Sequence, residues 1–241
     1  MRIWIDTDVG DDPDDILALR CAAAAPDSDI VGVSTVDDAR GGRAALARAL
    51  LPDVEVVANE APPDKVSSAD VLVGIGPWTN VASVADAGAL PLRVVLMGGL
   101  LGRVQHHDEW LEVEHNVASD PRAAARLLAT TGNLIVLPLE TTARLTVDAD
   151  DERAYNTAIP QLGGQTAQWR ERAGKHQALV LHDPAAVLIA LGELAVRTES
   201  RRLQVERDGR MLASVGTPIQ QVVTHVDPRA VRARVRALVS G

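Results

Sequence analysis

One cysteine, two lysines and the lack of any long apolar run narrow what this 241-residue chain can do. Cys21 has no partner for an internal disulfide, and a lone thiol cannot build a thiolate zinc cage. No stretch reaches the roughly 18 to 20 consecutive apolar residues that span a bilayer. The N-terminus, Met1-Arg2-Ile3-Trp4-Ile5-Asp6, turns acidic before a signal-peptide core could form, so the sequence reads as cytoplasmic, with no membrane partner. Lys65 and Lys175 are the only lysines and the formal charge is -9. A nucleic-acid backbone needs clustered Lys and Arg to displace its counterions, so nucleic acid is not an expected partner. An acidic balance suits solubility or a cation site instead.

What is present is the composition of an ordinary globular protein, 46% hydrophobic and 24% charged. Residues 1–241 read as one α/β domain with one sizeable core. Short apolar runs at Arg2–Thr7, Ile30–Val36, Val54–Ala58, Val71–Ile75, Leu92–Leu96 and Leu134–Leu137 read as buried strands. Helical patterns near 13–25, 40–51, 78–86 and 120–129 separate most of them. That beat predicts an open, mostly parallel sheet flanked by helices, with right-handed crossovers and ligand sites at the carboxyl ends of the strands. Further helices are predicted near 160–173 and 183–195. A hairpin then turns at Asp208-Gly209 between Arg202–Arg207 and Arg210–Val215, before a strand at Gln220–Val226 and a C-terminal helix with Val231, Val235, Leu238 and Val239 as its apolar stripe.

Residues 6 to 15 hold six aspartates in ten positions, at a predicted strand-to-helix junction. Asp6 and Asp8 alternate by two and share one face of the strand end. Asp12-Pro13 reads as a helix cap with proline at the first helical position, which puts Asp14 and Asp15 in the first turn, where the helix dipole favours anions. Capping does not explain all six, and no basic residue stands between Arg2 and Arg20. A hard divalent cation with oxygen ligands is the natural counter-charge, Ca²⁺ or Mg²⁺ rather than zinc. An EF-hand loop would need glycine at its sixth position and glutamate at its twelfth, and this spacing has neither.

Here the sequence resembles the inosine-uridine preferring nucleoside hydrolase family. The family signature, Asp-x-Asp-x-Gly and then Asp-Asp before an apolar helix, stands as Asp6-Thr7-Asp8-Val9-Gly10 and Asp14-Asp15-Ile16-Leu17-Ala18-Leu19. Further matches follow in the family's order: Gly76-Pro77-Trp78-Thr79-Asn80-Val81-Ala82, Met97-Gly98-Gly99, Glu114-His115-Asn116 with Asp120-Pro121, and His182-Asp183-Pro184. The resemblance implies calcium-dependent hydrolysis of the N-glycosidic bond of a nucleoside or other N-riboside, usually by a homodimer or homotetramer.

By the same resemblance, Asp8, Asp15 and Asp183 supply metal-binding carboxylates, and the Ile75 carbonyl joins them. Magnesium is the less favoured ion. Asp14 and Asn116 hold ribose hydroxyls, Asp183 adjoins the ribose, Glu114 faces the 5′-hydroxyl, and Asn80 and Met97 line the floor. Asp8 is the general base for water activated at the metal, and His182 is the general acid that protonates the departing base. Carboxylates near the sugar stabilise its oxocarbenium character. His106, His107 and His115 read as exposed loop residues, and Trp78 and Trp110 as packing residues.

Three segments depart from the family. Asp11-Asp12-Pro13 lengthens a spacer that is usually one residue. Asp37-Asp38-Ala39 replaces a Gly-Asn that contacts substrate. Between Ala61 and Val71 the chain lacks an Asp-Gly-Leu-Gly-like loop, which opens one wall of the pocket. Two other readings fit the residues: a riboside-binding protein without turnover, and a Mg²⁺-dependent haloacid-dehalogenase-like phosphatase. The phosphatase would need a lysine on the phosphoryl group, and neither Lys65 nor Lys175 is well placed for it.

Overall fold

The computed structural model describes residues 1–106, 109–173 and 177–240. Its first half alternates β1 (Arg2–Thr7), α1 (Asp14–Ala24), β2 (Asp29–Thr35), α2 (Gly42–Leu50), β3 (Val56–Ala58), α3 (Pro63–Val66), β4 (Val71–Gly74), α4 (Thr79–Asp86) and β5 (Arg93–Met97). A small hairpin follows, β6 (Val104–His106) and β7 (Glu109–Leu111), then α5 (His115–Ser119), α6 (Pro121–Thr130), β8 (Ile135–Leu137) and α7 (Leu139–Thr142). The remainder is α8 (Ala149–Ala158), α9 (Pro160–Ala173), α10 (His182–Ala190), β9 (Val196–Val205), β10 (Met211–Ala213), β11 (Ile219–Val226) and α11 (Pro228–Val239). No helix among the described residues is long and apolar enough to cross a membrane.

Nine strands form one sheet in the order β10-β9-β11-β8-β5-β4-β1-β2-β3. Strands β11 through β3 pair in parallel, while β9 runs antiparallel to both β10 and β11. Alternation along the strands divides the core between the two faces. Ile3, Ile5, Val71 and Val73 pack with α1, α10 and α11, whereas Trp4, Leu72 and Leu96 pack with α4 and α6. Gly32 is required beside Trp4, because a Cβ there would come within 2.2 Å of the indole ring.

The strand beat of the first half matches expectation to within two residues at each end. The expected helix over 183–195 stops at Ala190, where Gly192 takes φ of +75° and the chain turns into β9. That strand starts at Val196, earlier than the expected Arg202, because pairing with β11 rather than a local alternation defines it. The segment of His106, expected as a loop, carries the β6–β7 hairpin. His107 lies outside the described residues, as do Lys175 and His176, and of His106 only the backbone in β6 is described. Trp78 is fully buried as expected, but Trp110 is 60% exposed, with the Arg103 guanidinium 5.0 Å from its ring centre.

Candidate active site

The parallel strands deliver their loops to one end of the sheet, as α/β topology requires. Asp8 follows β1, Ile75 follows β4 and Met97 ends β5. The Ile75 N–H bonds to the Asp6 carbonyl at 2.8 Å, which extends the ladder just past β4. Close approach here depends on Gly76: a Cβ on it would lie 2.8 Å from the Asp8 amide nitrogen and 3.0 Å from Asp8 Oδ1.

Helices α1 and α10 pack against each other and bring their N-termini together. Asp14 and Asp15 stand in the first turn of one, and Asp183 in the first turn of the other. Oxygens from these three buried carboxylates lie within 4.8 Å of one another. The Asp183 N–H donates to Asp14 Oδ2 at 3.2 Å, and the Thr7 hydroxyl bonds to Asp15. The capping expectation for Asp12 does not hold: Pro13 occupies the capping position of α1 with no side-chain cap bond. Asp183 lies inside α10, which begins at His182 after Leu181.

Burial is the largest cause of perturbation in this cluster, with mutual repulsion added to it. Asp14 is pushed up to about 8, and Asp15 and Asp183 well above the usual carboxylate range. Asp8 rises to about 6 by burial, restrained by Arg43 and His115. Behind it Asp6 rises to about 7 through burial, although Asn80 and Ser34 donate to its Oδ1 at 2.8 and 2.5 Å. The pair Asp6 and Asp8 thus divides its work, one oxygen-rich end facing the cavity and the other buried as support.

These residues line a cavity of about 490 Å³. Its floor is Asp8, Asp14, Asp15, Asp183, Ile75, Met97, Glu114 and Asn116. Asn116 Nδ2 lies 3.3 Å from the carbonyls of both Ile75 and Met97. Glu114 caps α5, accepting from the N–H groups of Asn116 and Val117 at 2.8 and 3.1 Å, and from Gly99 at 2.7 Å. Asn80 does not line the cavity, because its amide is spent on Asp6 and on the Thr35 carbonyl. It braces the site from behind instead of forming the floor.

His182 lines the cavity from the start of α10, with Nδ1 2.7 Å from Thr142 Oγ1. The Thr142 hydroxyl donates to the Leu139 carbonyl at 3.3 Å. That assigns Nδ1 as the donor to Thr142 and leaves Nε2 as the nitrogen that exchanges protons. His115 is exposed, as expected, but it stands at the start of α5 rather than in a loop and lines the cavity with Nε2 4.0 Å from Asp8 Oδ2. The opposite wall comes from Trp169 and Arg172, three positions apart on one face of α9, with Gln165 one turn earlier on the same face but outside the lining. Gln165 and Arg172 donate to the Asp11 carbonyl at 3.1 and 2.5 Å, and the Trp169 indole bonds to Asp12. Neither Trp169 nor Arg172 was singled out from the sequence, although a Trp and an Arg three positions apart on a polar helix were the available signal.

The departures have structural consequences. Asp38 accepts from the Arg43 and Ala44 N–H groups at 3.1 and 2.8 Å, so that segment starts α2 and does not line the cavity. No residue of 59–70 lines it either. Lys65 is ion-paired with Glu55 outside the cavity, which removes the first lysine a phosphatase could use.

Comparison with known proteins bears on the whole chain. Residues 42–233 match the profile described as inosine-uridine preferring nucleoside hydrolase, a span that begins after the aspartate cluster. An uncharacterized protein of Schizosaccharomyces pombe is 26% identical over 296 aligned residues, covering 93% of this chain and 87% of that protein. The alignment is longer than the chain, so the relative carries segments that this one lacks. Among solved structures, a plant nucleoside hydrolase superimposes with a TM-score of 0.82 at 18% identity, covering 100% of this chain and 99% of its own. A purine-preferring ribonucleoside hydrolase from Gardnerella vaginalis gives 0.77 at 21% identity, with 99% of each chain covered. The fold is that of these hydrolases, and the matched span makes the chain a member of the inosine-uridine preferring nucleoside hydrolase family, an N-ribosyl hydrolase by class.

Proposed function

We propose that this protein hydrolyses the N-glycosidic bond of ribonucleosides to ribose and free base, using a bound divalent cation, Ca²⁺ in preference to Mg²⁺. The observation that carries the proposal is the buried Asp14, Asp15 and Asp183 cluster in the same cavity as His182. The donor set fits such an ion. Several buried carboxylates that raise one another's pKa are tolerated either protonated or around a cation, and an all-oxygen set suits calcium's larger and more flexible shell. Asp8, Asp15, Asp183 and the Ile75 carbonyl would hold it. When bound, it would lower the pKa of a coordinated water and orient the ribose hydroxyls.

The protein's own groups account for the remaining steps. Asp14 and Asn116 hold ribose hydroxyls, Met97 packs beneath the sugar, and Glu114, fixed by three N–H groups, faces the 5′ side. Asp8 takes the proton from the attacking water. As the bond to the base breaks, positive charge grows on the sugar, and the surrounding carboxylates stabilise it. His182 gives its Nε2 proton to the leaving base, while the Thr142 contact fixes the ring's orientation.

Reducing sugar released from a panel of purine and pyrimidine nucleosides, with and without a chelator, tests this. Release abolished by the chelator and restored by Ca²⁺ is expected. Release indifferent to chelation would remove the metal from the mechanism, and binding of ribosides without any release would replace the hydrolase with a binding protein.

A further inference from the structure

The loop between β1 and α1 joins Asp8, on its strand side, to Asp14 and Asp15, on its helix side, yet little of its own backbone holds it. Among the described residues no backbone N–H donates to the Gly10 or Asp11 carbonyl. Helix α1 starts without a side-chain cap bond. The first turn, which carries two of the site's carboxylates, is therefore fixed by groups from outside the loop.

Most of that hold comes from α9. Gln165 is 8% exposed, and its Nε2 donates to the Gly10 carbonyl and, at 3.1 Å, to the Asp11 carbonyl. A carboxamide nitrogen carries two hydrogens, and both are spent on successive carbonyls of one loop. One turn further along, the Trp169 indole bonds to Asp12, and two turns along, Arg172 gives the Asp11 carbonyl a second bond at 2.5 Å. From the other side Arg43 Nη2 donates to Asp11 Oδ2 at 2.7 Å and Nε to the Asp37 carbonyl at 3.1 Å. Unlike Trp169 and Arg172, Gln165 does not line the cavity. It touches neither an ion nor a nucleoside there, and acts on the site only through the loop.

We propose that Gln165 is a positioning residue for the cation site: its two hydrogen bonds hold the β1–α1 loop in the shape that lets Asp8 and Asp15 share one ion. The proposal rests on the metal reading given above. Packing of α1 on α10 already sets oxygens of Asp14, Asp15 and Asp183 within 4.8 Å of one another. Asp8 stands across the loop from them, so the loop's shape sets the remaining separation. Calcium takes its oxygens at about 2.3 to 2.6 Å, and a carboxylate displaced by a few tenths of an ångström binds it less well. Long-range charge and local hold predict opposite results for one substitution. Gln165→Glu keeps the size and adds a negative charge, which by Coulomb attraction favours a cation. It also turns a double donor into an acceptor facing two carbonyls, which releases the loop. Gln165→Leu removes the donors and adds no charge.

Calorimetric titration of calcium into the full chain, stripped beforehand with chelator, reads the hold directly, with nucleoside hydrolysis measured alongside. Q165L and Q165E are each expected to bind calcium roughly tenfold more weakly than wild type, as when groups that orient metal ligands are removed. Gln168→Leu, at an exposed position of the same helix, is expected to bind as wild type does. At saturating calcium the kcat of both Gln165 variants should return to near the wild-type value, whereas general damage to the fold would keep it low at any calcium concentration. Should Q165L fail to fold, Q165E decides by the sign of its change. Wild-type affinity in Q165L, tighter binding in Q165E, an equal loss in Q168L, or a kcat that saturating calcium does not restore would each overturn the positioning role and leave the metal reading standing. Wild-type protein that takes up no calcium would remove the metal reading, and the positioning role with it.

Discussion

Replacing Asp14 with asparagine should stabilise the metal-free protein at alkaline pH while altering a group proposed to hold a ribose hydroxyl. Burial and the neighbouring carboxylates raise Asp14 from 3.8 to about 8. A carboxyl whose folded pKa is raised contributes stability below its unfolded pKa, and that stability is lost as pH rises through the folded value. At about 1.4 kcal/mol per pKa unit, the ionised group therefore costs the fold up to roughly 6 kcal/mol above pH 8. Protons can shift onto Asp15 and Asp183, so this is an upper bound. A quarter of it would still raise the melting midpoint by about 3 to 6 °C in a domain of this size. Asparagine keeps an oxygen for the Asp183 N–H, so the 3.2 Å bond can survive. The assay is thermal denaturation of wild type and Asp14→Asn in chelator, from pH 5 to pH 9. The variant should melt higher at pH 9, and the two curves should converge toward pH 5. Calcium should raise the wild-type midpoint more at pH 8 than at pH 5, since it competes with protons for the same oxygens. A variant no more stable than wild type at pH 9, or a difference that grows as pH falls, would refute the account of the cluster as repelling buried charges.

His182→Ala should lower kcat on ordinary nucleosides about 10²- to 10⁴-fold and much less on a riboside whose leaving group departs as a stable anion; equal losses on both would argue against its role as proton donor. Gly98→Ala should disturb Glu114, because the added carbon would stand 2.9 Å from Trp78 Nε1 and 3.1 Å from Glu114 Oε2 at φ of +146°. A loss of about 1–3 kcal/mol in denaturant titration, with a raised KM, is expected. Asn80→Ala removes a donor from Asp6, whose carboxyl already sits at about 7. The expected cost is about 1–3 kcal/mol, greatest above pH 7 because a further raised pKa extends the window in which ionisation opposes folding. KM should change little, and a large rise in KM at unchanged stability would put Asn80 in contact with the sugar after all.

The strands were legible because a buried parallel strand is a short, nearly continuous apolar run, and six such runs lie where the structure has β1 to β5 and β8. Their ends shifted by a residue or two, since hydrogen bonding to neighbours rather than side-chain character terminates a strand. The β6–β7 hairpin was not legible, because its strands are three residues each and their apolar residues, Val104 at one end and Trp110 and Leu111 at the other, form neither a run nor an alternation. Strand β9 was half legible for a similar reason: Leu203 and Val205 mark its covered end, but Val196–Arg202 owes its extended form to β11. Among site residues, Asp8, Asp14, Asp15, Ile75, Met97, Glu114, Asn116, His182 and Asp183 all reach one cavity, whereas Asn80 stops behind it. Trp169 and Arg172 went unmarked because an isolated Trp or Arg on a helix has no local signature of function.

Sequence alone determined that strands and helices alternate into a mostly parallel sheet, that Asp8, Asp14 and Asp15 crowd a strand-to-helix junction, and that no basic residue nearby in the chain neutralises them. These are local properties, set by composition, periodicity and spacing. Tertiary structure decided which carboxylate joins them from far along the chain, because only the packing of α1 on α10 brings the first turns of both helices together. It also decided that Asp12 is not a helix cap, that His115 reaches Asp8, and that α9 grips the β1–α1 loop. Each of these depends on how distant segments approach one another, and no local pattern carries that information.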